Sequence, residues 1–260
     1  MAQGIISIFS PFNIHCYRVM DEFITAFVPA VIQALSAFGA QYWASKINEK
    51  DADTHDIQYP ELIEGNVSDF IQGLSSFLDK RYDIAAWDFY CSDINTRIWQ
   101  INYAMGLGLS RACTDDISDE TKIMYAEKAI SLYNKLERAN DLPKEKYPEI
   151  LIRLGGIKKV RLFAKMQLNQ LTDEFQNGID EILGLLERGL QKAQSNKDVI
   201  WIEEAQYQLA CVYAITNNET QTNRYASEIR NNEMLWNRLK KRILERYNPS
   251  MIIEEELNES

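Results

Sequence analysis

Most of this chain repeats apolar side chains three and four positions apart, the spacing of one face of an α-helix. We therefore predict an all-α fold, and the low content of helix breakers (11 glycines and 6 prolines in 260 residues) agrees with it. After residue 60 the predicted helices cover 61–80, 82–113, 119–139, 149–170, 173–195, 198–216, 219–231 and 233–247. Because short turns join most of them, we expect antiparallel helix hairpins stacked as a short α-solenoid.

Residues 23–45 carry no formally charged side chain, although charged residues crowd both flanks. Their length suits a helix across a hydrocarbon core about 30 Å thick, but Pro29 and Gln33 make insertion marginal. Thr25, Gln33 and Ser36 fall on one helical face, which we expect to contact a partner helix. The opposite face is an apolar stripe made of Ile24, Phe27, Val31, Leu35, Phe38 and Tyr42. We predict a transmembrane helix, with a buried helix of a soluble protein as the alternative.

Composition divides the chain into four parts. These are an N-terminal segment 1–50 with the candidate span, a polar linker 51–60, a helical body 61–248 and an acidic tail 249–260. If residues 23–45 cross a membrane, Lys46 and Lys50 against the lone Arg18 place the body on the cytoplasmic side. The predicted location is therefore a single-pass membrane protein, and the alternative is a soluble cytoplasmic one.

Residues 198–231 give the clearest repeat signal. Leu209, Ala210 and Tyr213 combine a large apolar residue, a small residue that lets two helices approach, and an aromatic ring that fills the space beside it. The turn and the second helix add Asn217, Asn218, Ala226 and Ile229. This hairpin resembles a tetratricopeptide repeat, although Thr222 stands where that family usually has alanine. The resemblance implies stacked helix pairs whose groove binds peptides.

Charge and residue counts narrow the possible functions. A net charge of −10 disfavours nucleic acid as a partner, because phosphate repels it. The chain has two histidines, His15 and His55, and four widely spaced cysteines, so we expect no metal site. It also lacks the glycine-rich sequence of a phosphate-binding loop. We expect no cofactor and no catalytic residues, hence a protein that is not an enzyme.

One predicted helix, 149–170, is locally basic. Lys158, Arg161 and Lys165 share a face through their spacing of three and four residues. If that face lines a groove, it suits an acidic peptide or a C-terminal carboxylate. The alternative is an ordinary solvated face.

These patterns together favour a non-catalytic adaptor or scaffold that is anchored in a membrane and binds a protein or peptide through its helical repeats. One alternative is a soluble scaffold or assembly subunit with residues 23–45 buried in a protein interface. The other is a sensor-effector whose N-terminal helix self-associates in the membrane, which would make the protein a homo-oligomer.

Overall fold

The computed structural model describes residues 65–114, 117–170 and 175–242. Within these ranges the chain forms nine α-helices and no strand, which confirms the predicted all-α class for this part of the protein. The helices are α1 (Val67–Leu78), α2 (Tyr82–Ser92), α3 (Trp99–Ala112), α4 (Asp119–Glu137), α5 (Tyr147–Gln167), α6 (Phe175–Asn196), α7 (Val199–Ile215), α8 (Glu219–Glu228) and α9 (Glu233–Arg242). A 3₁₀ turn, Lys144–Lys146, leads into α5.

The candidate span and the acidic tail lie outside the described residues, as do Thr25, Gln33 and Ser36. Each helix that the structure does describe is too short or too polar to cross a bilayer.

Several helices begin at a polar side chain that caps the first turn. Asn66 accepts hydrogen bonds from the backbone N–H groups of the first turn of α1, and Ser118 accepts one at the start of α4. Asp198 and Asn218 do the same for α7 and α8. A side-chain oxygen at this position satisfies an N–H group that has no partner within the helix, so these residues fix where the helices start.

The helix predicted at 82–113 is wrong in one respect, because the structure breaks it into α2 and α3. Asp93 adopts the left-handed conformation with φ 44°, and the chain then runs outside a helix until Trp99. Thr96 stabilises this link, since its hydroxyl accepts a hydrogen bond from the backbone N–H of Ile98 at 3.2 Å. The break lets α1 pair with α2 as a hairpin of its own, and leaves α3 to pair with α4.

A glycine closes that first hairpin. Gly65 has φ 119°, and a Cβ atom there would lie 2.7 Å from the carbonyl oxygen of Ser92. The next residue, Asn66, donates its backbone N–H to that same oxygen at 2.7 Å. Only glycine combines this φ with such a close approach of two chain segments.

Each of the helices α1 to α7 packs against the next one along the chain, and some also pack against the next but one. Helix α5 contacts both α6 and α7, and α7 contacts both α8 and α9. Helices α5, α7 and α9 therefore form a row, with α6 and α8 beside it. A hydrogen bond from Tyr103 on α3 to Glu149 on α5 extends this row to α3. We call α3, α5, α7 and α9 the odd row.

The hairpins are packed through apolar side chains. The largest buried cluster contains residues from every helix between α1 and α5. A second cluster contains residues of α5, α6 and α7, and a third contains residues of α7, α8 and α9. Helices α5 and α6 approach closely at two glycines: a Cβ at Gly155 would lie 2.7 Å from Leu186, and one at Gly189 would lie 2.6 Å from Ile152.

The hairpin α7–α8 contains the residues that suggested a repeat. Leu209 and Ala210 are fully buried, and the ring of Tyr213 stacks on Tyr225 with centroids 5.8 Å apart. Thr222 is also fully buried, and its hydroxyl donates to the backbone carbonyl of Asn218 at 2.9 Å. A threonine can be fully buried here because this internal bond satisfies its hydroxyl.

Candidate functional site

Two of the three predicted binding residues on α5 form ion pairs with even-numbered helices. Lys158 forms an ion pair with Glu181 on α6, and Lys165 lies 3.8 Å from Glu127 on α4. Arg161, which lies between the two lysines in the sequence, is half-buried and forms no ion pair with a described residue. The two lysines thus extend to helices on opposite sides of α5. A role for these three residues in peptide binding stays a prediction.

The structure instead gathers buried charges on the odd row, around Glu149. Its carboxylate accepts hydrogen bonds from the Tyr103 hydroxyl at 2.5 Å and from Arg153 Nε at 2.7 Å. The Lys146 ammonium, which comes from the turn before α5, lies 3.2 Å from the same carboxylate. Glu149 itself is only 2% exposed. One carboxylate therefore joins α3, the turn before α5 and the first turns of α5.

The charge on Glu149 is fixed by its neighbours. Burial alone raises the pKa of a carboxyl group, but the cations of Arg153 and Lys146 and the hydrogen bond from Tyr103 outweigh it, so the pKa of Glu149 is lowered. Burial and the adjacent carboxylate both raise the pKa of Tyr103 well above its ordinary value. At neutral pH the carboxylate is therefore ionised and the phenol is protonated.

Arg153 carries the polar contacts from α5 to α7. Its guanidinium lies 4.9 Å from the centre of the Trp201 ring, the geometry of a cation–π contact. Burial opposes the charge on Arg153, but the Glu149 carboxylate more than compensates, so the pKa of the guanidinium is raised. Arg153 is therefore a permanent cation between an anion on its own helix and an aromatic face on the next helix of the odd row.

A second set of contacts continues from α5 to α9. Lys159 donates to Gln208 Oε1 at 2.6 Å, and Gln208 Nε2 donates to Glu204 Oε1 at 2.6 Å. Arg238 on α9 lies 3.8 Å from Glu204, donates from Nε to the Tyr207 hydroxyl at 3.1 Å and covers the Tyr207 ring at 4.3 Å. These bonds connect α5, α7 and α9 through polar atoms.

We call the two sets together the charge ladder. Its members are Tyr103, Lys146, Glu149, Arg153 and Trp201 in the first set, and Lys159, Glu204, Tyr207, Gln208 and Arg238 in the second. Gly156 lies between the sets on α5, and a Cβ there would be 3.4 Å from the Gln208 amide. The glycine lets α5 and α7 come together at the point where the ladder crosses between them.

The ladder carries more positive than negative charge. Among the described residues it contains the four cations Lys146, Arg153, Lys159 and Arg238 and the two carboxylates of Glu149 and Glu204. Glu203, next to Glu204 in sequence, accepts instead from the Asn232 amide at 2.7 Å.

Lys159 accounts for much of this excess. It is 5% exposed, and its partners among the described residues are the Gln208 amide and, at 5.6 Å, the face of the Tyr207 ring. A buried ammonium group with neutral partners retains a strong attraction for an anion.

A cleft of about 920 Å³ lies on a different surface, along the exposed face of α4. Amide and hydroxyl side chains line it together with residues of both charges: Asn95, Thr96, Arg97, Asn102, Glu127, Ser131, Asn134, Lys135, Arg138, Asn140 and Asp141. The Lys165–Glu127 pair lies at its edge. Because the charges of both signs are mixed, the cleft has a weaker preference for anions than the ladder has.

Metal ligands do not converge in the part of the chain that the structure describes, where no group of three or more His, Cys, Asp or Glu side chains is placed to hold an ion. Cys91 is exposed, whereas Cys113 and Cys211 are buried, and all three are free thiols.

Two signals in the sequence point to part of the ladder. Glu149 and Arg153 are four residues apart, and so are Glu204 and Gln208, so each pair shares a helical face. The contacts across helices have no such signal. That Lys159 meets Gln208, or that Arg238 meets Glu204, depends on which helices stack and at what height.

No known protein family, characterised protein or solved structure matches this chain.

Proposed function

We propose that this protein is a non-catalytic interaction scaffold whose stacked hairpins bind an acidic segment of a partner protein along the odd row. The sequence resemblance to tetratricopeptide repeats supports this proposal, and so does the packing of each hairpin on the next. The observation that carries it is the excess positive charge of the ladder, above all Lys159 with no carboxylate partner among the described residues.

The protonation states of the ladder favour binding over acid–base catalysis. A general acid or base works best with a pKa near the operating pH. The pKa of Glu149 is lowered and that of Tyr103 is raised, so both move away from neutrality. Groups that keep one charge state are suited to recognising a fixed charge on a partner.

The chemistry of the proposed partner follows from the mixture of groups. Arg238 has 38% of its side chain exposed and Lys146 and Arg153 have 19% each, so incoming carboxylates reach cations at both ends of the ladder. Tyr207 and Trp201 add aromatic faces beside these cations. A segment with acidic residues and at least one apolar or aromatic side chain fits this surface best.

A peptide titration tests the proposal. One fluorescent peptide pool carries Asp and Glu at alternating positions, and a matched pool carries Lys at the same positions. We expect the full chain to bind the acidic pool, with an affinity that falls as salt rises because salt screens the attraction between the peptide and the cations that are partly open to solvent. Arg238→Gln should weaken this binding about tenfold, the effect of losing one charge-assisted contact of about 1.4 kcal/mol.

The triple variant Lys158→Ala/Arg161→Ala/Lys165→Ala is the matched comparison, because it removes three cations of α5 that do not belong to the ladder. We expect it to bind the acidic pool nearly as well as the unmodified chain. Loss of binding in the triple variant, with Arg238→Gln unaffected, would place the site on the predicted basic face and refute the ladder. Equal binding of the acidic and basic pools would refute the proposal as a whole.

Attachment to a membrane is a separate question, because residues 23–45 lie outside the described residues. The proposed binding surface consists of residues between Tyr103 and Arg238, all of which the structure describes.

A further inference from the structure

The cleft along α4 has the size of a small-molecule site, but polar groups line it. It lies between the second half of α4, the link that joins α2 to α3, and the residues that follow α4. Its volume of about 920 Å³ falls within the range of about 300–1,000 Å³ that is usual for ligand pockets. The described residues that line it include amides, hydroxyls and charged groups but no aromatic ring. A ligand of this cleft is therefore recognised mainly through hydrogen bonds.

One buried side chain that lines the cleft has an unsatisfied hydrogen-bond acceptor. Asn102, near the start of α3, is only 3% exposed. Its amide nitrogen donates to the backbone carbonyl of Thr96 at 3.0 Å, which fixes the orientation of the amide because a carbonyl oxygen only accepts. Its amide oxygen has no hydrogen-bond partner among the described residues. Because an unpaired buried acceptor is costly, a donor from a bound molecule would stabilise this site.

The walls of the cleft are joined before any ligand binds. Lys135 on α4 donates to the side-chain oxygen of Asn95 in the link at 3.0 Å. Lys128, two turns earlier on α4, forms an ion pair with Asp93 at the start of the link. A cleft with walls that are already connected loses little conformational freedom on binding, which favours affinity.

The charges of the cleft disfavour a strongly ionic ligand. Arg97, Lys135 and Arg138 are positive, whereas Glu127 and Asp141 are negative. An anion such as phosphate would be repelled by the carboxylates and could not donate to the unpaired amide oxygen, and a cation would be repelled by the three basic groups. A neutral hydroxyl group avoids both problems, because it donates one hydrogen bond and accepts others.

We propose that this cleft binds a small neutral polyhydroxylated molecule, a mono- or disaccharide, with one ligand hydroxyl donating to Asn102 Oδ1. Other hydroxyl groups of the same ligand bond to the Asn134 amide, donate to the carboxylates of the cleft and accept from its cations. The site is separate from the charge ladder, and it does not depend on the peptide binding proposed above.

Titration of the full chain with a panel of neutral mono- and disaccharides tests the proposal, with saturation-transfer NMR to find binders and calorimetry to measure affinity. We expect at least one member to bind saturably. Asn102→Leu, which replaces the acceptor by an apolar side chain of similar size, should weaken this binding at least about tenfold. Asn134→Ala should weaken it about threefold, the effect of one neutral hydrogen bond. The control Asn177→Ala, an exposed position of α6 outside the cleft, should leave it unchanged.

Other results would overturn the proposal. Saturable binding by no member of the panel would show that the cleft is not a sugar site. Undiminished binding in Asn102→Leu, with unchanged helical circular dichroism, would place the sugar elsewhere. If Asn102→Leu loses helical circular dichroism, Asn134→Ala decides, and an affinity equal to that of Asn177→Ala refutes the site. Tighter binding of inorganic phosphate than of any sugar would mean an anion site. None of these results bears on peptide binding by the charge ladder, whose members do not line the cleft.

Discussion

Two faces of α5 show how differently the same helix contacts its neighbours. Gly155 faces α6, where a Cβ would be 2.7 Å from the fully buried Leu186. Gly156, one residue later, faces α7, where the nearest atoms belong to the Gln208 amide at 3.4 Å. Toward α6 the contact is tight and apolar; toward α7 it includes charged and amide groups of the ladder.

This difference suggests two roles for the contacts. Apolar packing between α5 and α6 stabilises the hairpin, since it removes apolar surface from water. The polar groups between α5 and α7 contribute less net stability, because burying charges costs desolvation energy. Their directional bonds fix the height at which consecutive hairpins stack, and their cations are the groups that we propose bind a partner.

The largest loss of stability is expected when the central carboxylate of the ladder, Glu149, is removed. Glu149→Gln leaves Arg153 and Lys146 without their shared anion, and breaking a buried pair from one side costs about 3–5 kcal/mol. We expect the free energy of unfolding in urea to fall by that amount. Glu127→Gln is the control, because its pair with Lys165 is 3.8 Å long and Glu127 is 52% exposed, so its loss should stay within about 0.5 kcal/mol. Equal, small losses in both variants would mean that the ladder does not hold the odd row.

Acid should weaken the contacts of the Glu149 carboxylate with Arg153 and Lys146 without a substitution. The pKa of Glu149 is lowered in the folded protein, so the unfolded chain takes up this proton first as the pH falls. Its contribution is complete above the ordinary glutamate pKa of about 4.3 and is lost as the pH falls through the folded value. The free energy of unfolding should therefore fall more steeply with acid in the unmodified chain than in Glu149→Gln. Parallel curves would contradict the lowered pKa.

Alanine substitutions at Gly155 and Gly156 should change the free energy of unfolding by smaller amounts and in opposite directions. Gly155→Ala should destabilise the protein by about 1 kcal/mol, because overpacking against Leu186 exceeds the gain in helix propensity. Gly156→Ala should be neutral or stabilise by up to about 1 kcal/mol, since its new methyl group meets only ordinary van der Waals contact. Thermal or urea unfolding measures both. A reversal of the two signs would show that α5 packs more tightly on α7 than on α6.

The smallest effect is expected at Lys158, whose partner Glu181 is 56% exposed. Lys158→Met should change the free energy of unfolding by less than about 0.5 kcal/mol, as is usual for an ion pair open to solvent. A loss above 1 kcal/mol would mean that the even-numbered side of α5 also depends on charge.

Local pattern accounts for the parts of the fold that were predicted correctly. Helices 119–139, 149–170 and 173–195 were placed within a few residues because apolar spacing and capping residues are properties of neighbouring positions. The break between α2 and α3 was missed because apolar residues continue on both sides of it. Its signal is a short run of turn-forming residues, Ser92, Asp93, Asn95 and Thr96, inside a stretch that otherwise has helical spacing.

The ladder is harder to predict from the sequence than the fold. The sequence predicts binding by Lys158, Arg161 and Lys165 of α5, and their role in binding stays a prediction. Residues 150–172 contain no acidic residue, and Glu149 lies just before them, so the basic pattern of α5 does not indicate the pairing of Glu149 with Arg153. The contacts of Lys159 with Gln208 span 49 residues, and the spacing within one helix contains no information about them.

The adjacent lysines of α5 provide the most direct test of the central claim, that the odd row is the binding surface. Lys158→Met and Lys159→Met make the same chemical change one residue apart, on faces toward α6 and α7 respectively. Binding of the acidic peptide pool is measured for both variants by fluorescence anisotropy at the same salt concentration. We predict that Lys159→Met weakens binding about tenfold and that Lys158→Met leaves it unchanged. Equal affinities in the two variants, or a loss confined to Lys158→Met, would contradict the assignment.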